Sequence, residues 1–334
     1  MNLRLNSLLL LLVIFSTATS LFCLSTQEPA YAQTTAQVMP QAPNTPHENR
    51  TIYISLWLIN VYSFDFKTGS YTFDFYVSFH WTDPQITSAN WYLMNGYPTF
   101  PGAKQLVSSN YTGDIKSEYY RVRANLNTPL EPKNYPFDTI KLAISIELLT
   151  QNYETSLLWL PEATGIDVGF KNVGWTTPTF EISTAISHYP LGIDSPRADM
   201  IVVQDRNLFG ALIETIFPPL IFCIVSALCF LFRMHESSAF SLRVGINTSM
   251  LITAVLFNIA EHGNIPPITE VTLYNSFTAS VISFLAINLI VTILGYVEWM
   301  RHQDKTHVNK VNKVGFLVSF AVPILLFAIL FFSK

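Results

Sequence analysis

An all-β, immunoglobulin-like sandwich followed by a four-helix transmembrane bundle is the fold this sequence predicts, on three observations. Apolar stretches at 208–232, 238–260, 272–300 and 314–332 are each long enough to cross a hydrocarbon core of ~30 Å as a helix. Ahead of them, 50–206 carries strand-like runs of β-branched and aromatic residues broken by Pro, Gly and Asn. No 3.6-residue periodicity persists in that region. The links between the apolar stretches are too short for a cytoplasmic domain, so the expected output is made inside the membrane.

Residues 1–32 read as an export signal. Arg4 supplies the basic end, 8–15 the apolar segment, and Ala30-Tyr31-Ala32 a small-x-small cleavage site before Gln33. An uncleaved anchor is the other reading of this long segment. Cys23 follows a bulky Phe22 and makes a poor lipid-attachment site. Residues 33–49, rich in Gln, Ala and Pro, form a flexible lead.

The β region opens with 51–59 and 71–81, parts of which alternate at period two, with Lys67-Thr68-Gly69-Ser70 turning between them. Similar runs recur at 141–149, 180–188 and 200–203. Short strands separated by turn signals favour an antiparallel sandwich. The sequence has three cysteines, Cys23 in the signal and Cys223 and Cys229 in the first apolar stretch, so no disulfide staples the exported domain. A domain of this size buries an adequate core without one.

In the membrane region 207–334, Arg233, His235 and Arg243 flank the first link. Arg301, Lys305, Lys310 and Lys313 occupy the last, 301–313. The link between the second and third stretches carries Glu261 and Glu270 and no Lys or Arg. The positive-inside rule then makes the basic links cytoplasmic and places the β domain and the C-terminus outside.

Enzyme chemistry is not expected. There is no Gly-x-Ser-x-Gly elbow, phosphate-binding loop or paired-Cys metal site, and Ala239 stands where a zinc-protease helix beginning at His235-Glu236 needs its second His. Intramembrane ionisable groups, Glu214 and Glu298, are too few and too far apart for a catalytic centre. A net charge of −4 without a basic patch gives no reason to expect nucleic acid. No metal or cofactor is implied.

Tyr135-Pro136-Phe137-Asp138 resembles the aromatic-Pro-aromatic-Asp tip of the signature loop in the pentameric ligand-gated ion channels, the Cys-loop receptor superfamily. Other matches fall in order: Trp81-Thr82-Asp83, Arg206 before the first helix, Pro218-Pro219 within it, and Ile265-Pro266-Pro267 after the second. Thr128 and Leu142 occupy the places of the animal receptors' half-cystines, so the likeness is to the prokaryotic members. The resemblance covers nearly all of the mature chain. It implies a ring-shaped homopentamer in a bacterial inner membrane, passing inorganic ions among membrane lipids, opened by a small-molecule agonist or by protons. A non-conducting, membrane-anchored receptor or binding subunit is the competing reading, though one helix suffices for an anchor.

Read as a helix, Gly245, Ser249, Ile252, Leu256, Ile259 and Gly263 recur at steps of four and three and share one face. The resemblance makes this face the pore lining. Its base is small and polar, at Gly245 and Ser249. Ile252, Leu256 and Ile259 form an apolar band able to stop ions by dewetting. Asn247, Thr248, Thr253 and Asn258 lie off the stripe and need partners between helices.

The resemblance places gating coupling at Asp65, Tyr135, Pro136, Phe137, Asp138, Arg206, Pro266 and Pro267, with Asp138 and Arg206 forming an ion pair that Asp65 joins. It places the selectivity region at Ser241, Leu242 and Arg243, with Glu236 further back. The acid usual in cation-selective relatives is missing, and so is the Pro-Ala of anion-selective ones, which leaves the ion sign open. Agonist-site candidates are Tyr153, Trp159, His188 and Tyr189, because cations bind aromatic boxes. Proton-sensing candidates are Glu147, His188 and His262, each suited to titrate if partly buried.

Overall fold

The computed structural model describes residues 50–149, 155–190, 193–232, 236–266 and 271–332. The signal and lead expected at 1–49 lie outside them. Chain contacts divide the described residues into a β unit, 50–131 and 139–207, and a helical unit, 132–138 and 208–332.

The β unit contains β1 (Arg50–Asp65), β2 (Ser70–Trp81), β3 (Trp91–Leu93), β4 (Gly96–Pro98), β5 (Lys104–Thr112) and β6 (Ile115–Asn127). After the excursion of 132–138 come β7 (Thr139–Leu148), β8 (Thr155–Trp159), β9 (Gly165–Ile166), β10 (Thr179–Tyr189) and β11 (Ile193–Asp205). One sheet runs β4-β6-β2-β1-β8, with β5 on β6 and β9 on β1; the other runs β10-β11-β7-β3. Both sheets contribute to a single apolar core.

Alternation explains the pairing of the two sheets. Ile52, Ile54, Leu56 and Leu58 of β1 point inward, as do Phe73, Phe75, Val77, Phe79 and Trp81 of β2. From the other sheet, Ile140, Leu142, Ile144, Ile146 and Leu148 of β7 meet Ala198, Met200 and Val202 of β11. A one-residue slip in any of these strands would turn its whole apolar set outward, so register is firmly specified. Pairing is antiparallel except at one edge, where β1 takes β8 and β9 in parallel. The β1–β2 turn needs Gly69. Its φ is +68°, and a Cβ there would lie 2.3 Å from the Thr128 carbonyl oxygen.

In the helical unit, α1 covers Leu208–Leu231, α2 Ser237–His262 and α3 Leu273–His302, and all three are long and apolar enough to span a membrane. A fourth helix, α4, covers Lys305–Phe332. Within α1, residues Leu212–Ile216 widen into a π turn. Pro218 and Pro219 directly after it have no N–H to return to the preceding turn, and the wider turn relieves the clash of their rings with it. Thr272 caps α3 by accepting the Asn275 N–H at 3.0 Å.

Helix α4 begins earlier than its apolar content indicates. Residues 305–313, expected as part of a link, are helical. Gln303 turns the chain at φ 49°, and the Asp304 carboxylate then accepts the Thr306 N–H at 2.8 Å. This cap starts the helix in polar sequence, and Val308 is buried one turn later.

Candidate functional site

Three groups of side chains stand out, one in the β unit and two in the helical unit. The first is built around Glu147, at the end of β7. Its neighbours across the sheet are Tyr92 of β3 and Arg197 of β11. The carboxylate is fully buried. Tyr92 donates its hydroxyl to Oε1 at 2.5 Å, and Tyr189, at the end of β10, donates to Oε2 at 3.0 Å. The two hydroxyls lie 3.3 Å apart, and Met94 Sδ is 3.4 Å from that of Tyr189. Burial, then the bond to Glu147, holds the Tyr92 hydroxyl protonated well above the usual phenol range. Arg197 is engaged by Asp199 at 2.8 Å. The carboxylate is therefore stabilised by phenol hydroxyls and not by a cation among the described residues. Such a group is suited to pair with a cationic ligand.

Tyr189 and Glu147 thus come together, while the other agonist candidates do not join them. His188 points to the opposite side of its strand and pairs with Asp194 at 2.7 Å in an exposed contact. Trp159 donates its indole N–H to the Ser183 carbonyl at 2.8 Å. Tyr153 lies outside the described residues. Sequence reading missed Tyr92, whose place beside Glu147 comes from the pairing of β3 with β7.

The second group is the 132–138 loop, with Tyr135-Pro136 in the cis form. Although its sequence lies between β6 and β7, it packs with the helices. The Lys133 and Tyr135 carbonyls accept the backbone N–H groups of Leu273 and Tyr274 at 3.1 Å each. Tyr135 donates its hydroxyl to Glu261 Oε2 at 3.0 Å and meets the buried Tyr274 ring edge-on at 5.7 Å. The loop is thereby bonded to the end of α2 and the start of α3. His262 is exposed; its Nδ1 faces the Asn258 carbonyl at 3.0 Å, and its ring lies 6.0 Å from that of Tyr274.

Of the remaining coupling candidates, Phe137 is exposed, while Asp138 and Pro266 are buried. Pro267 lies outside the described residues. Asp65 is exposed in the β1–β2 turn, where the hydroxyl of Thr68 lowers its pKa. Arg206 lies over the rings of Phe66 and Trp175, at 4.7 and 4.6 Å.

The third group is α2. Every residue of the sequence-derived stripe, Gly245, Ser249, Ile252, Leu256 and Ile259, is exposed, with Ile252 at 55%, Leu256 at 60% and Ile259 at 63%. The opposite face buries Arg243, Asn247 and Ala254. Ser241 and Leu242 are exposed at the start of the helix, and Glu236 precedes it. Arg243 faces away from the stripe. Its guanidinium reaches the Phe232 carbonyl at 3.3 Å and Asn312 of α4 at 3.0 Å, over the Phe230 ring.

Asn247 meets the expectation of a partner between helices. Ser226 of α1 donates to its Oδ1 at 2.7 Å, and its Nδ2 donates to Thr292 of α3 at 3.3 Å. The other three polar residues of α2 differ. Thr253 donates back to the Ser249 carbonyl at 2.8 Å within its own helix. Among the described residues Asn258 Oδ1 has no donor, and Thr248 makes no interhelical hydrogen bond.

No family model matches the chain. The chain is similar to a proton-gated ion channel of Gloeobacter violaceus, with 22% identity over 322 residues that take in 87% of this chain and 86% of the relative. The similarity thus runs through both the β unit and the membrane helices.

Proposed function

We propose that this chain, a distant relative of the pentameric ligand-gated ion channels, forms a homopentameric channel whose pore is lined by α2. One observation carries the reading. A membrane-length helix presents a stripe with a small polar base and an apolar upper band, and none of the described residues covers it, while its opposite face is packed. Five copies set around an axis turn that stripe into a lining. Rings of Ile252, Leu256 and Ile259 would dewet when narrow, and Gly245 and Ser249 would tolerate hydrated ions. All four helices, α4 included, cross the membrane in this reading, and the β unit is an immunoglobulin-like sandwich on the periplasmic side.

The agonist acts at Glu147, Tyr92 and Tyr189, and the proton is the agonist best supported. Two phenol donors need a carboxylate with both oxygens free. Protonation converts one oxygen into a donor and breaks that match. Coupling runs through the 132–138 loop, which is covalently continuous with β6 and β7 yet bonded to α3 and Glu261.

The test is purified protein in planar bilayers under a salt gradient, with the external pH stepped from neutral to about 4.5, across the range where carboxyl and imidazole groups titrate. Acid-evoked current supports the proposal, and its reversal potential gives the ion sign. A protein that passes no current at any pH, with the apolar ring opened by Ile252→Ala as well, favours the non-conducting receptor instead.

A further inference from the structure

Four polar side chains, Ser226 of α1, Asn247 of α2, and Asn288 and Thr292 of α3, are wholly buried where the three membrane helices meet. Ser226 donates to Asn247 Oδ1 at 2.7 Å and accepts from Asn288 Nδ2 at 2.7 Å. Asn247 Nδ2 donates to Thr292 Oγ1 at 3.3 Å, and Thr292 donates to the Asn288 carbonyl at 2.8 Å. Asn247 is the only member on α2, and it lies on the face opposite Gly245 and Ser249.

We propose that Asn247 is the latch that fixes the rotation of α2, holding the pore helix in its resting orientation through Ser226 and Thr292. The inference rests on the channel reading above. Its physical basis is local. On the Ala254 side of this cluster α2 meets its neighbours through apolar contacts, with Val281 and Leu285, which tolerate sliding; on the other side Arg243 ties α2 to Asn312 of α4, so Asn247 is the tie to α1 and α3. Hydrogen bonds are directional, and hydrocarbon offers no water to replace them. A turn of α2 about its axis must therefore break both bonds of Asn247.

The cluster also provides for the released state. Asn288 Oδ1 has no donor among the described residues, so an acceptor stands ready when Asn247 or Ser226 lets go. Two alternative bonding patterns make a bistable element of the kind that gating needs. The arrangement described is taken as the resting one, in which Asn247 holds both of its interhelical bonds.

Asn247→Leu isolates this role. It keeps the volume; Ser226 still accepts from Asn288 Nδ2 and Thr292 still donates to the Asn288 carbonyl, so each keeps one of its bonds, and the freed Ser226 hydroxyl can turn to Asn288 Oδ1. An interhelical bond in a membrane is worth about a threefold change in an equilibrium, so two are worth about ninefold per subunit. In bilayers, Asn247→Leu is expected to move half-activation to a proton concentration at least threefold lower, with reversal potential and single-channel conductance unchanged. Thr292→Ser keeps the hydroxyl and is expected to stay near the native midpoint, whereas Thr292→Val follows Asn247→Leu. A midpoint that does not move, or that moves to more acid pH, overturns the latch while leaving the channel reading in place.

A second measurement decides the matter without current. With Cys223 and Cys229 replaced, single cysteines at Ser249 and Thr248 are labelled by a water-soluble thiol reagent in reconstituted protein. The latch predicts faster labelling at position 249, and a ratio that falls at least threefold when Asn247→Leu is added. An unchanged ratio overturns the proposal even if the protein never conducts.

Discussion

Glu147→Gln is the perturbation that bears most directly on the agonist site. The substitution preserves volume and leaves the core around β7 intact, so its effect is confined to hydrogen bonding and charge. Glutamine offers one acceptor oxygen and one amide donor. It can accept from Tyr92 or Tyr189, not both; the other hydroxyl must turn to accept from the amide, and a bond to a charged acceptor is lost. Such a bond contributes about 1.5–3 kcal/mol, equivalent to roughly a ten- to hundredfold shift in an equilibrium that depends on it. The amide also mimics the protonated acid, which cannot accept at both oxygens. In planar bilayers the Glu147→Gln channel is therefore expected to pass more current at neutral pH than the native protein. Between neutral pH and about 4.5 its response is expected to flatten. Tyr189→Phe removes one of the same bonds from the other side and is expected to act in the same direction, non-additively with Glu147→Gln. A Glu147→Gln channel with the native pH midpoint would refute the reasoning and make this cluster a structural feature of the β unit.

Two further predictions concern the β unit. Gly69→Ala places a side chain in the left-handed region and against the Thr128 carbonyl; it is expected to destabilise the unit by at least about 1–2 kcal/mol, read as an earlier thermal transition. His80 sits with its ring nitrogens 2.9 and 2.8 Å from the hydroxyls of Ser78 and Ser117, and burial lowers its pKa below the usual histidine value. The unfolded chain therefore takes up this proton first as pH falls. The contribution of His80 to stability is flat above about pH 6.5 and falls as pH drops below it toward the folded value. Melting followed from pH 8 downward is expected to show a shallower acid decline in His80→Gln; equal slopes would remove His80 as the cause.

Much of the fold was legible because it rests on local alternation. Ile52, Ile54, Leu56 and Leu58 announce one buried face of β1, and the same period marks β2 and β7. The exposed face of α2 was legible for a similar reason, since a helix repeats at 3.6 residues wherever it is placed. Its buried face was equally available. Arg243, Asn247 and Ala254 follow the same spacing on the far side, which sets Arg243, expected in the selectivity region, on the packed face. Other features depend on pairing between distant segments. Tyr92 reaches Glu147 because β3 pairs with β7, and Tyr189 joins them because β10 and β11 form a hairpin beside β7. No local signal in a three-residue strand carries that information. The parallel edge of β8 and β9 on β1 was hidden for the same reason. The early start of α4 follows from one capping aspartate, which hydropathy does not register.

The central claim is that the stripe on α2 lines an ion pathway. The most direct test records current from reconstituted protein in which Cys223 and Cys229 are replaced and a single cysteine stands at Ile252 or, for comparison, at Met250 on the packed side. A charged, water-soluble thiol reagent is expected to change the current irreversibly in the Ile252→Cys protein and to leave the Met250→Cys protein conducting as before. Equal sensitivity at both positions, or modification at Met250 alone, would contradict the assignment of α2's exposed face to the pore.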